Sequence, residues 1–140
     1  MSQQYVTLLL GSNLGETEKN VENALKLIES EIGVIVKKSS LLHSMPVEFA
    51  SINIFCNIAV LIKTHFSPLI LLKSIKEIEH KMGREVDSAV TKGYTDRIID
   101  IDIVKYANIN FECGKLKIPH YKHLVERDFS RKLLNSIDKH

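Results

Sequence analysis

Hydrophobic positions alternate between two periods along the chain, and each change of period marks an element. Tyr5 to Leu10 is a short apolar run closed by Gly11-Ser12-Asn13-Leu14-Gly15, which predicts a buried strand ending in a tight loop. Val21, Ala24, Leu25, Ile28 and Ile32 then recur at three- and four-residue spacing, the repeat of a helix with one buried face. Glu16 and Glu18 suit its positive N-terminal end, and Gly33 is expected to take a left-handed C-cap. A second strand is predicted from Val34 to Ser40, where β-branched residues lead. Leu42 to Asn53, mixed in character around Pro46, reads as a loop. Phe55 to Thr64 resumes the β pattern, with Ile58, Val60 and Ile62 at its centre.

Ser67-Pro68 opens a second helix, because serine caps the first turn and proline sits where a backbone N–H would have no partner. Leu71, Ile75, Ile78 and Met82 mark its buried face up to Gly83. Residues 85–97 are polar and irregular. Ile98 to Tyr106 and the shorter Leu116 to Ile118 read as strands, and a last helix is expected over about Arg127 to Ile137. Helices separated by strand pairs, in the order βαββαβ, predict an α+β fold with an antiparallel sheet flanked by helices. A ferredoxin-like split βαβ is the arrangement that fits.

Composition narrows the class. The 140 residues predict a single domain, 1–140. At 44% apolar and 26% charged, the chain is neither disordered nor collagen-like. No segment approaches the roughly 18 apolar residues of a membrane span, and Met1-Ser2-Gln3-Gln4 lacks the charged lead of a signal peptide, so a cytoplasmic protein is expected. A net charge of +2 is too small to imply a nucleic acid or membrane partner held by bulk attraction. Arg84, Arg97, Arg127 and Arg131 all fall in the second half, so bidentate recognition of an anion is expected from there. Cys56 and Cys113 have neither metal nor disulfide spacing and are expected to be small buried hydrophobes.

Arg97-Ile98-Ile99-Asp100-Ile101-Asp102-Ile103-Val104 carries the most chemistry. On a strand, Asp100 and Asp102 share one face while Ile99, Ile101 and Ile103 pack on the other. Two carboxylates that converge repel each other unless a cation lies between them, and hard oxygen donors suit Mg²⁺ rather than Zn²⁺. A solvated strand face is the bland alternative, although aspartate is depleted in strands. Arg84, Arg97 and Arg127 could converge on a polyphosphate whose magnesium the aspartates hold. Gly11 to Gly15 lacks the spacing of a known phosphate loop and reads as a structural turn. His43, His65, His80, His123 and His140 form no metal spacing.

Seven pieces in one order resemble hydroxymethyl-dihydropterin pyrophosphokinase, a folate-pathway family. They are Gly11 to Gly15, Ser44-Met45-Pro46-Val47, Phe55-Cys56-Asn57, Glu79 through Met82-Gly83-Arg84, Arg97 through Asp102, Ile118-Pro119-His120 and Arg127-Asp128-Phe129. The resemblance runs from Tyr5 to about Ile137 and implies a ferredoxin-like fold. It implies transfer of pyrophosphate from ATP to the hydroxymethyl group of 6-hydroxymethyl-7,8-dihydropterin, with AMP released and two Mg²⁺ ions held by Asp100 and Asp102. On the same basis Arg84, Arg97, His120, Tyr121 and Arg127 match groups that contact the triphosphate. Lys115 and Ile103 match positions beside the nucleotide, and Glu79 matches a supporting acid of the ATP-binding set. Arg84 and Arg97 join the two aspartates as expected catalytic residues. Phe55 and Phe129 match the aromatics that sandwich the pterin. Asn57 and the backbone near Ser44 and Val47 match its hydrogen-bonding edge, with Tyr94 and Asp100 counted in the same set.

The chain departs from the family pattern in four places. Tyr94-Thr95-Asp96-Arg97 stands where the family has Trp-x-Pro-Arg, and the Arg84 to Arg97 segment is longer than usual. Met45 precedes Pro46 where another residue is common, and His120 to Arg127 carries an extra residue. The competing reading is a non-enzymatic ferredoxin-like nucleotide- or RNA-binding module, which needs exposed aromatics on central strands and a basic face. Phe55 is the sole aromatic residue of Phe55 to Thr64. A freestanding monomer acting on small molecules is the expectation.

Overall fold

Leu8, Leu9 and Leu10 are apolar at consecutive positions because their strand is covered on both faces. A computed structural model describes residues 3–44, 54–83, 98–114, 116–120 and 128–138. Its elements are β1 (Gln4–Ser12), α1 (Thr17–Glu31), β2 (Gly33–Lys38), β3 (Leu42–Ser44), β4 (Phe55–Thr64), α2 (Pro68–Lys81), β5 (Asp100–Tyr106), β6 (Phe111–Cys113), β7 (Leu116–Ile118) and α3 (Asp128–Asp138). The main sheet runs β2-β4-β1-β5 with β3 beside β4, and every pairing in it is antiparallel. With β3, β6, β7 and α3 set aside, the connectivity is βαββαβ and β1 lies between β4 and β5. This is the ferredoxin-like α+β arrangement.

One face of the sheet packs on α1 and α2. Val6, Leu8 and Leu10 of β1, Ile58, Val60 and Ile62 of β4 and Ile101 and Ile103 of β5 form a single core there. Val21, Ala24, Leu25 and Ile28 of α1 and Leu71, Ile75 and Ile78 of α2 complete it. The other face packs on α3, through Leu9, Ala59 and Val104 against Leu133, Leu134 and Ile137. Each fully buried branched aliphatic side chain contributes about 1.5–3 kcal/mol over its exposed state, so both layers hold the central strands in place. None of the described helices is long and apolar enough to cross a membrane.

Local chemistry explains most boundaries. Ser67 caps α2, its side chain accepting the Ile70 N–H at 3.4 Å, and Pro68 occupies the first turn. Gly83 follows α2 with φ +106, the left-handed conformation that ends helices. Gly33 differs from its expected role. It is the first residue of β2, and a Cβ there would lie 2.0 Å from the Lys63 carbonyl oxygen, so close approach of β4 is what requires glycine. Part of the expected 42–53 loop is β3, which pairs with Phe55–Asn57 of β4. β2 ends at Lys38 rather than Ser40, and β5 begins at Asp100 rather than Ile98. Phe111–Cys113 is an unexpected strand that pairs with the expected Leu116–Ile118.

β5 forms one edge of the main sheet, and the edge is managed from two sides. The His120 amide donates to the Val104 carbonyl at 2.8 Å. The buried Glu79 carboxylate of α2 accepts the Ile101 N–H at 2.8 Å. The first contact lies two residues beyond Asp102, and the second falls between the two aspartates.

Candidate active site

Cross-strand neighbours share a sheet face, so register alone locates the aspartates. Leu9 packs on α3, and its partner across the ladder is Asp102. Asp100 lies opposite Gly11, and Gly11 lies opposite Asn57 on its other side. Asn57, Gly11 and Asp100 therefore form a row across β4, β1 and β5 on the α3 face, one step along the strands from the Ala59, Leu9 and Asp102 row. Strand rise separates Asp100 from Asp102 by about 7 Å, and two strand spacings separate Asn57 from Asp100 by about 10 Å.

Gly11 makes the row concave. A Cβ there would sit 2.9 Å from Asn57 Oδ1 and 3.5 Å from Phe55 Cδ1, so the amide and the aromatic ring both lean over a position with no side chain. Asn57 is 4% exposed, and its Nδ2 donates to the Leu42 carbonyl at 3.2 Å. That bond fixes which way the amide faces. The sequence assigned Gly11 to a turn, whereas the structure places it inside β1, beneath two residues of the expected pterin set. A glycine within a strand is the signal that could have found it, because it marks close approach by another group.

Asp100 and Asp102 are half-buried on adjacent rows. Their donor set suits Mg²⁺, which binds one or two carboxylates and fills its remaining positions with phosphate oxygens and water. Among the described residues no group of three or more His, Cys, Asp or Glu could by itself hold a metal ion.

Phe55 is half-buried at the start of β4, and Ser44 closes β3 directly opposite it. Phe129 lies in the first turn of α3, the helix covering this face. His120 is held beside β5 through its amide. Two members of the expected nucleotide set lie on the opposite face: Ile103 has its side chain in the α1–α2 core, and Glu79 is 1% exposed. The Glu79 carboxylate also stands 3.4 Å from Lys76 Nζ. Arg84, Arg97, Val47, Tyr94, Lys115, Tyr121 and Arg127 lie outside the described residues, as do the side chains of Ser44 and Phe129.

Cys56, between Phe55 and Asn57, points into the α1–α2 core. Burial, and secondarily the negative charge of Glu18, push its thiol above the usual range. It stays protonated at neutral pH, in line with its expected role as a small buried hydrophobe, whereas Cys113 on β6 is exposed and does not fill that role.

Residues 7–139 match the family described as 7,8-dihydro-6-hydroxymethylpterin-pyrophosphokinase (HPPK). The 2-amino-4-hydroxy-6-hydroxymethyldihydropteridine pyrophosphokinase of Bacillus subtilis is 33% identical, over 87% of this chain and 71% of that protein. The protein of the same name from Porphyromonas gingivalis is 31% identical, over 94% of this chain and 89% of its own length. The folate synthesis bifunctional protein of Chlamydia caviae is 34% identical over 96% of this chain, which spans only 30% of it. The chain likewise spans 18% of a Dictyostelium discoideum folic acid synthesis protein. Among solved structures, Plasmodium falciparum HPPK-DHPS with pteroate superposes with a TM-score of 0.64 at 18% identity, covering 97% of this chain and 37% of that one.

Proposed function

The chain belongs to the HPPK family, and from that premise we propose that it transfers pyrophosphate from ATP to the hydroxymethyl group of 6-hydroxymethyl-7,8-dihydropterin. The observation that carries the proposal is the row Asn57–Gly11–Asp100, in which a buried amide and an aromatic edge frame a side-chain-free position next to a carboxylate pair. A flat heterocycle needs an amide for its hydrogen-bonding edge and an aromatic for its face. A polyphosphate needs charge neutralisation within reach of both.

The hydroxymethyl oxygen attacks the β-phosphorus while the bond from that phosphorus to the α-phosphate bridging oxygen breaks. AMP leaves with the electron pair, and the hydroxyl proton is released. Asn57 orients the pterin edge, and Phe55 supports one ring face, with Phe129 proposed for the other. Asp100 and Asp102 would hold Mg²⁺, two ions by family resemblance. When bound, Mg²⁺ neutralises the phosphate oxygens and makes the β-phosphorus more electrophilic. Arg84, Arg97, Lys115, His120, Tyr121 and Arg127 are proposed to grip the triphosphate. Holding both substrates in line supplies up to about 7–11 kcal/mol of the barrier.

A nucleotide- or RNA-binding module without catalysis is not favoured. Such modules read bases on an open sheet face with exposed aromatics. Here that face carries Asp100 and Asp102, and Leu133, Leu134 and Ile137 of α3 pack on its centre. Incubation with ATP, Mg²⁺ and the reduced hydroxymethylpterin, with the nucleotides then separated, tests the proposal. AMP should form only when the pterin is present. ADP as the product, or AMP at an equal rate without pterin, would overturn it.

A further inference from the structure

β5 carries both aspartates on the edge of the sheet, where among the described residues no strand pairs on the outer side of Ile101, the residue between them. Glu79 reaches the Ile101 N–H from α2, its Oε2 accepting at 2.8 Å. The residue is 1% exposed, and Lys76 Nζ lies 3.4 Å from its carboxylate. A buried carboxylate is costly to keep, and apolar neighbours such as Ile75 and Ile78 show that this helix face could have been filled without one. Its geometry gives the reason.

We propose that Glu79 is a positioning residue: its bond to the Ile101 N–H fixes the orientation of β5 and so the geometry in which Asp100 and Asp102 are presented. The inference rests on the reading of these aspartates as the metal and polyphosphate ligands. Glu79 acts from the opposite face of the sheet, through the backbone. Partners that orient metal-binding carboxylates are worth about 10- to 100-fold in metal affinity or activity when removed. The acceptor oxygen is what β5 requires. The negative charge is not.

That distinction sets the test. Glu79→Gln keeps an acceptor for Ile101, and Glu79→Leu keeps volume while removing it. Four properties are measured on each full-length variant: the thermal midpoint, hydrogen exchange at the Ile101 amide in metal-free buffer, Mn²⁺ affinity with bound ATP analogue, and kcat and KM for AMP formation. Glu79→Gln should protect the Ile101 amide and hold Mn²⁺ affinity and kcat within about threefold of the parent. Glu79→Leu should unfold cooperatively, exchange at Ile101 at least about tenfold faster, and lose about tenfold or more in Mn²⁺ affinity and kcat, with the KM for pterin unchanged.

A folded Glu79→Leu protein with fast Ile101 exchange and parental Mn²⁺ affinity overturns the proposal, and so does Glu79→Gln falling as far as Glu79→Leu. If Glu79→Leu does not fold, Glu79→Asp takes its place, since it keeps the charge and shortens the reach. It should then show fast Ile101 exchange with weakened Mn²⁺ binding, and parental values of both overturn the inference. Asp100→Asn is the control for the underlying reading. Unchanged Mn²⁺ binding in that variant condemns the ligand assignment, while Ile101 exchange in the Glu79 variants still reports separately on the bond.

Discussion

Gly11 lies directly beneath Asn57: a Cβ on the glycine would come 2.9 Å from the amide oxygen. The contact ties the end of β1 to the orientation of a 4% exposed side chain on β4. Gly11→Ala should therefore displace the Asn57 amide and weaken pterin binding by about fivefold to tenfold, the scale of one disturbed hydrogen bond near 1 kcal/mol. ATP affinity should hold. Calorimetric titration of both ligands checks this, and parental pterin affinity would show that Asn57 does not set the pterin edge.

The aspartates should matter for chemistry and not for folding. Asp100→Ala or Asp102→Ala should abolish Mg²⁺-dependent AMP formation while leaving the unfolding midpoint in metal-free buffer unchanged or raised, because removing one carboxylate relieves repulsion. Turnover near the parental rate in both variants would remove them from the metal site.

Phe55 and Phe129 separate two roles by one comparison. If they sandwich the pterin, Phe55→Ala and Phe129→Ala should each lose about 1–3 kcal/mol of pterin binding, by analogy with bases stacked on aromatic side chains, with ATP affinity preserved. If they are core residues, truncation costs about 3–5 kcal/mol of stability and weakens both ligands in parallel. Thermal midpoints measured alongside the two affinities decide.

Gly33→Ala tests the fold itself. Its Cβ would meet the Lys63 carbonyl oxygen at 2.0 Å, and its three nearest atoms are all backbone of Lys63 and Thr64, so no flexible side chain can yield. A loss of about 3 kcal/mol or more is expected in denaturant unfolding, at the upper end for overpacking. A midpoint equal to the parent would mean that β2 can retreat from β4.

How much of this was legible in the sequence follows from what local patterns contain. The sequence pattern marks β4 at both ends, Phe55 and Thr64, since a ten-residue β pattern is long enough to speak for itself. α2 was found because Ser67 and Pro68 signal its start. β3 and β6 span three residues each and owe their existence to the strands they pair with, which no local window shows. Gly33 was misread for the same reason. A glycine after a helix looks like a cap unless the Lys63 backbone is known to lie against it. In the site, alternation placed Asp100 and Asp102 on one face correctly, and the register puts that face under α3. The meeting of Gly11, Phe55 and Asn57, and the reach of Glu79 to Ile101, are contacts between distant parts of the chain. Only the folded sheet brings them together.

Transfer of an intact pyrophosphoryl group is the central claim, and the fate of isotopic label tests it most directly. ATP labelled in the β- or the γ-phosphate is incubated with the protein, Mg²⁺ and 6-hydroxymethyl-7,8-dihydropterin, and the pterin and nucleotide products are separated. Both labels should appear on the pterin in equal yield, with unlabelled AMP as the nucleotide product. Label from the γ-phosphate alone on the pterin, with labelled ADP left behind, would contradict the account.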